Sequence, residues 1–221
     1  MRKANRSGGG PGQPEYALRQ QGGRVDLSNG KRHPNLRSHP SIARVMNIRQ
    51  ATPADRDGIL GVHALAFPES ERDMVAQLAA DLLAEQTTPH ILSLVAEIDG
   101  VLAGHVGFSP VFRTGVEAFR GYILAPLGVR PDVQKRGVGS ELIRYGLRHL
   151  ADEGVQVVFV YGDPAYYGRF GFSVDTARPY TAPYPLQMPF GWQALALNDH
   201  PAPESPALLS CVESLRDSRL W

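Results

Sequence analysis

The stretch "VQVVFVYG", residues 155–162, limits the possible folds more than any other part of the chain. A strand this uniformly apolar cannot leave a face in water. It belongs in the middle of a sheet with further layers on both sides. The flanking segments fit that demand. Ahead of it, 137–152 carries Val138, Leu142, Leu147 and Leu150 along one side of a helix. After it, "GDPAYYGRFGF" reads as a short helix over 164–169 closed by a glycine turn.

The remaining elements follow from local signals. Residues 46–50 read as a strand, and Thr52 caps a helix with Pro53 at its first position, running to about Phe67. "ESERDMVAQLAADLLAE" sets Met74, Val75, Leu78, Leu82 and Leu83 at helical spacing. "LSLVAEIDGVLAGHVGFSPV" is two strands joined at Asp99-Gly100, a hairpin signal. A strand is expected around 116–123 and another ending in "LAPLGVRP", with further strands near 170–174 and 190–197. A terminal helix is expected over 205–219. No internal repeat is present. The order β-α-α-β-β-β-α-β-α-β-β describes an α/β protein with a mixed central sheet and helices on its faces.

Charge separates the chain into two parts. Residues 1–45 hold nine Lys/Arg against two Asp/Glu, whereas residues 46–221 hold 14 against 20. The basic segment is rich in Gly, Pro and Asn and lacks apolar periodicity, so it cannot offset the entropy of ordering. It is expected to be a disordered extension upstream of a working start at Met46. The domain is then 46–200, with 201–221 as a helical C-terminal segment. The acidic body argues against nucleic acid as a partner. No apolar run approaches the ~18 residues of a membrane span, and no secretory core is visible. One cysteine, Cys211, leaves no intrachain disulfide and no zinc pattern, so a cytoplasmic protein without a metal is the simplest expectation.

The chemistry-bearing motif is "VQKRGVGSEL", residues 133–142, between the strand "LAPLGV" and the helix. Amides at a helix N-terminus lack intrahelical acceptors and suit phosphate oxygens, and glycines allow close approach. A Walker loop is excluded because Ser-Glu follows Gly139, and a dinucleotide fingerprint because Leu142 stands where its third glycine belongs. A plain glycine turn with charged neighbours is the competing account.

The segment "LGVRPDVQKRGVGSELIRYGL" resembles the acetyl-coenzyme A motif Gln/Arg-x-x-Gly-x-Gly/Ala of the GCN5-related N-acetyltransferases. "GDPAYYGRFGF" is similar to that family's downstream Tyr-x-x-x-Gly-Phe element. Together with "GFSPV" and "APLGV" these point to a YhbS-like bacterial branch, over roughly residues 46–200. The resemblance implies splayed central parallel strands, with the pantetheine arm along Leu127, Gly128 and Val129. A backbone N–H near Val129 would hold the thioester oxygen. The pyrophosphate would lie on Gln134, Lys135, Arg136, Gly137, Val138 and Gly139, with Ser140 close by. Tyr167 matches the family's proton donor to the leaving sulfur, and Tyr166 stands one residue away. Asp163-Pro164 replaces the Asn often found at the start of this element. The implied activity is acetyl transfer from acetyl-CoA to a primary amine, by direct attack in a ternary complex. An acyl-CoA-binding or partner-binding module without turnover is the alternative. A monomer and a homodimer are equally compatible.

The general base stays open among His63, Glu69, Glu71, His105 and Glu117. His105 reads equally well as a satisfied core histidine, and a water chain would serve as well. The acceptor, a small molecule or a protein amine, is expected to meet the segment around 63–75 and a strand near the C-terminus. There "FPESERD" supplies Glu69, Glu71 and Asp73, which also suit a plain helix start.

Overall fold

Strand β5 (Val157–Tyr161) lies inside the sheet, with Val157 and Phe159 in one core cluster and Val158 and Val160 in the other, as its composition requires. The computed structural model describes residues 46–198, 202–203 and 206–221. The basic extension and the proposed start at Met46 concern residues 1–45, outside this range. The sheet runs β1 (Met46–Gln50), β2 (Leu92–Ile98), β3 (Val101–Arg113), β4 (Val116–Val129), β5 and β7 (Trp192–Ala196). Only β4 and β5 are parallel neighbours along that path. Beyond the end of β2, strand β8 (Ala207–Cys211) takes the edge of β3 and also pairs with the two-residue β6 (Tyr180–Thr181).

Helices α1 (Arg56–Ala66) and α2 (Arg72–Ala84) cover one face, and α3 (Val138–Asp152) covers the other. Alternation along β3 divides the layers. Gly104 and Phe108 meet α3, while His105 between them meets α1. The start of α1 is fixed by charge. Arg49 on β1 reaches the Asp55 carboxylate at 2.7 Å and also Glu97 on β2. That guanidinium holds the Asp55 carboxyl well below the usual range, and the same carboxylate accepts from the Thr52 N–H at 2.7 Å. Thr52 and Pro53 open a 3-10 turn (Pro53–Asp55) that leads into α1.

Three expectations need correction. The strands foreseen at 116–123 and through "LAPLGVRP" are one 14-residue strand, β4; Pro126 and a bulge beside it break the alternation without ending the strand. Residues 170–174 form a turn and lead into a short helix, α5 (Val174–Ala177), with Ser173 making a single bridge to Ala194. The terminal helix over 205–219 is instead β8 followed by 3-10 turns. Ala207, Leu209 and Cys211 are buried and Leu208 and Ser210 exposed, a period of two that the free edge of β3 rewards.

Candidate active site

Strand β4 changes partners halfway along. Gly121, Tyr122 and Ile123 pair with Val157, Val158 and Phe159 of β5, and the parallel pairing stops there. On the other side Phe108 faces Leu124 and Val106 faces Leu127, so Ala125 and Pro126 share Gly107. Two residues opposite one is a β-bulge, which bends and twists the strand that carries it. Gly107 permits it, since a Cβ there would stand 2.7 Å from the Ala125 carbonyl oxygen. Past the bulge β4 stays with β3 through Val129, while β5 continues beside β7.

The opened side of β4 presents backbone donors. The Arg130 N–H turns inward to the Ala103 carbonyl at 2.9 Å. Successive N–H groups of a strand point to opposite sides. Those of Val129 and Leu127 therefore face the gap. The Gln134 side chain closes its upper end by donating to the Val129 carbonyl at 3.0 Å. Between them lies a 3-10 turn (Pro131–Val133). Lys135 (φ 62°) and Gly137 (φ 88°) are both left-handed, which turns the chain sharply into α3. A lysine in that conformation costs about 1 kcal/mol, a cost retained at sites where geometry matters. The amides of Val138, Gly139 and Ser140 begin the helix and lack intrahelical acceptors. Gln134, Lys135, Arg136 and Gly137 are exposed, Val138 and Gly139 buried, and Ser140 half-buried. The ten sequence-derived positions thus run from the opened strand to the helix mouth, with Gly128, Val138 and Gly139 buried among them.

The two tyrosines occupy different ground. Helix α4 (Pro164–Tyr167) starts at Asp163, whose carboxylate accepts from the Ala165 N–H at 2.9 Å. The Tyr166 hydroxyl comes within 3.0 Å of where a Cβ on Gly139 would be, a spot that Val129 also approaches at 3.3 Å. It therefore lines the gap near the helix mouth, and Arg169 stacks over its ring at 4.5 Å. The Tyr167 ring packs deeper, against Gly162 just past β5 and against Phe172. Burial raises both phenols, so both carry their protons at neutral pH.

On the α1 face, behind the same segment of β4, lies a group of which the sequence named His63 and His105 singly and missed Ser93. His63, in the last turn of α1, approaches His105 of β3, Nε2 to Nδ1, at 2.8 Å. His105 Nε2 meets Ser93 Oγ of β2 at 2.9 Å. All three are buried, and His63 Nδ1 is without a partner. That atom lies on Gly128, where a Cβ would come within 2.7 Å of it. Burial pushes His63 down to about 4 and His105 well below its ordinary value, so both rings are neutral at pH 7. The sequence signal was a histidine on the buried stripe of each element, but nothing in the spacing shows that residues 42 apart touch.

The other proposed bases lie outside this cluster, on β4 and at the start of α2. Glu117 precedes Leu127 by ten residues on one strand, about 30 Å away. Glu69 is exposed beside Arg72 at 3.4 Å, and Glu71 holds the N-cap position of α2 without a side-chain capping bond. Cys211 is buried in β8, and burial pushes its thiol up to about 11, the state of an unreactive core cysteine. Elsewhere, His149 and His90 reach Glu153 at 3.3 and 3.9 Å, an exposed group whose atoms would need to close up to hold a cation. Among the described residues no helix is long and apolar enough to cross a membrane.

Comparison with known proteins agrees with this geometry. Residues 58–172 match the profile of the Acetyltransferase (GNAT) family. The chain is 39% identical over 135 residues to the uncharacterized N-acetyltransferase YjhQ of Escherichia coli, covering 60% of this chain and 73% of that one. It is 38% identical over 130 residues to YhbS of the same organism, covering 58% and 74%. The crystal structure of YhbS in complex with CoA superposes with a TM-score of 0.70 at 30% identity, over 81% of this chain and 96% of that chain. A GNAT family acetyltransferase from Brucella melitensis in complex with acetyl-CoA gives 0.60 at 30% identity, over 77% and 98%.

Proposed function

Because the chain belongs to the GNAT family of acetyltransferases, we propose that it moves an acetyl group from acetyl-CoA to a primary amine by direct attack in a ternary complex. The observation that carries this reading is the opened half of β4, where donors at Leu127 and Val129 face a gap that leads to the start of α3. CoA or acetyl-CoA is bound in the YhbS and Brucella structures, and the residues here suit the same ligand. The ligand supplies an acetyl group already activated as a thioester.

The protein's part is binding, orientation and proton control. Amides of 138–140, with Lys135 and Arg136 beside them, receive the pyrophosphate. The pantetheine arm takes the place of a strand along Leu127–Val129. One of these N–H groups pairs with the arm, and the other, two residues away along the strand, stands where negative charge gathers on the thioester oxygen, a fixed donor that needs no reorganisation. Tyr167, protonated at neutral pH and packed against Gly162 just past β5, gives its proton to the departing thiolate. Tyr166 acts as a wall near the helix mouth, which fits its contact with Gly139.

The test is thermal unfolding with and without acetyl-CoA. It is followed by thiol release against a panel of spermidine, glucosamine, free lysine, an aminoglycoside and a peptide with a free N-terminus. Stabilisation with thiol release supports the reading. Stabilisation without release for any of these amines favours a binding module, and the absence of stabilisation removes the cofactor assignment.

A further inference from the structure

The His63–His105–Ser93 chain has no place in the scheme above, although it touches the strand on which that scheme depends. We propose that His63 Nδ1, through one water beside Gly128, accepts the proton that the amine nitrogen must lose after attack, with His105 and Ser93 as positioning residues. The inference rests on the acetyltransferase reading and adds the missing base.

Three observations carry it. First, the orphan atom is a nitrogen of a fully buried ring, and a buried polar atom without a partner points to an ordered water or a functional role. Second, the atom lies on Gly128, between the two residues whose N–H groups face the gap, on the face opposite α3. Third, the chain fixes the tautomer. A neutral imidazole has one donor and one acceptor nitrogen. If His63 Nε2–H donates to His105 Nδ1 and His105 Nε2–H donates to Ser93 Oγ, both bonds are satisfied and Nδ1 keeps a lone pair. The reverse arrangement leaves an N–H against Gly128 with nothing to receive it, the costlier orphan.

The surroundings favour an unprotonated ring that can hold a charge briefly. Phe67 stacks on His63 at 5.9 Å between centroids, and Val95 lies across from His105. The charged group that acts on the pair is the Asp55 carboxylate, whose field favours a proton on His105. Lowered basicity is compatible with the role. A free alkylammonium is too weak an acid to protonate such an imidazole, so the acceptor amine arrives already neutral. Once the nitrogen bonds to the carbonyl carbon it becomes strongly acidic, and a weak base suffices. In that step the C–N bond forms and the carbonyl pair moves to the oxygen held by a backbone amide of the opened segment of β4. The nitrogen's proton passes through the water to His63 Nδ1. The pair returns, the C–S bond breaks, and Tyr167 protonates the thiolate.

The experiment uses the full chain with ¹⁵N-labelled histidine, with CoA and acetyl-CoA as probes, together with His63→Gln. Glutamine at 63 can keep a polar contact to His105 yet offers nothing at the position of Nδ1. The expected results are a lone-pair Nδ1 on His63 whose resonance moves on acetyl-CoA binding, and thiol release reduced about 10²-fold or more in His63→Gln, with its acetyl-CoA stabilisation intact. Ser93→Ala should shift the tautomer balance and reduce turnover less, which a purely structural serine would not do. A protonated Nδ1 in the resting protein, or His63→Gln with wild-type turnover on the best panel amine, overturns the proposal. A wild-type protein that releases no thiol with any amine overturns the acetyltransferase reading itself, a separate result. Should His63→Gln fail to fold, His63→Asn provides the same kinetic comparison.

Discussion

Strand β4 has two faces, and they are built on opposite logics. Toward α3 it meets a polar mouth made of consecutive residues, 134 to 140, whose backbone turns into the helix and leaves its first amides open. Toward α1 it meets a buried triad made of residues 63, 93 and 105, on three separate elements, whose side chains bond to one another. The first is a motif, because one stretch of chain must turn in one way. The second is an arrangement, and only the fold assembles it. One strand serves both because its side chains alternate faces while its amides point sideways into the gap.

That contrast can be broken or sharpened by measurement. The largest effect is expected from Tyr167→Phe, which should lower turnover by roughly 10²–10⁴ while acetyl-CoA still raises the melting temperature. Tyr166→Phe should change turnover only a few-fold. If the two results exchange, the donor stands near the helix mouth and the depth argument fails.

Next comes acid sensitivity of the α1 face. The folded value of His63 lies below the unfolded one, so the unfolded chain binds more protons between about pH 6.5 and 4. Stability is therefore complete above that window and falls as pH drops through it, by an amount on the order of 3 kcal/mol. Denaturant titrations from pH 7.5 to 4.5 should show the slope, and His63→Gln should reduce it, leaving the part due to buried His105. The Asp55 carboxyl, held low by Arg49, acts in a separate window, because its contribution is lost only as pH falls below the ordinary carboxylate range.

Gly128→Ala comes third. Its methyl would meet His63 Nδ1 at 2.7 Å and Cε1 at 2.8 Å within a packed layer. A loss of about 1–3 kcal/mol in chemical denaturation is expected. Gly139→Ala would meet the tip of Tyr166 at 3.0 Å, which can swing aside, so its stability should change little while acetyl-CoA binding weakens. Equal losses in both variants would erase the distinction between the faces. The smallest effect is assigned to Gln134→Ala, which frees the Val129 carbonyl. Loss of one neutral hydrogen bond, about 1 kcal/mol, should weaken acetyl-CoA by roughly 5-fold in titration calorimetry.

Local signals were readable where a turn or cap dictates them. Asp99 and Gly100 both take positive φ, as a two-residue hairpin requires, and Thr52-Pro53 begins the first helical segment where expected. The glycine loop was readable for the same reason. The continuity of β4 was not, because a proline in the middle of an apolar run reads as an end, and the bulge that accommodates it depends on Gly107 of a neighbouring strand. Residues 207–211 were misread because their leucines suit a helix equally well. The deciding influence, the edge of β3 at Val111–Arg113 that β4 and β2 leave open, is about a hundred residues away. His63 and His105 were each identified, but their contact depends on how α1 lies across the sheet, partly set by Arg49, Asp55 and Glu97.

The bulge at Ala125 and Pro126 has one more consequence. Unpaired strand edges are hazards, since any passing extended chain can add to them, and proteins usually blunt such edges with charge, proline or a covering segment. Here the unpaired donors lie inside the sheet, between two strands that have just separated, with α3 opening above and α4 beside. Donors placed there meet a passing extended chain less readily than donors along an outer edge. By opening a seam in its interior, the fold keeps a row of hydrogen-bonding groups in reserve without inviting aggregation.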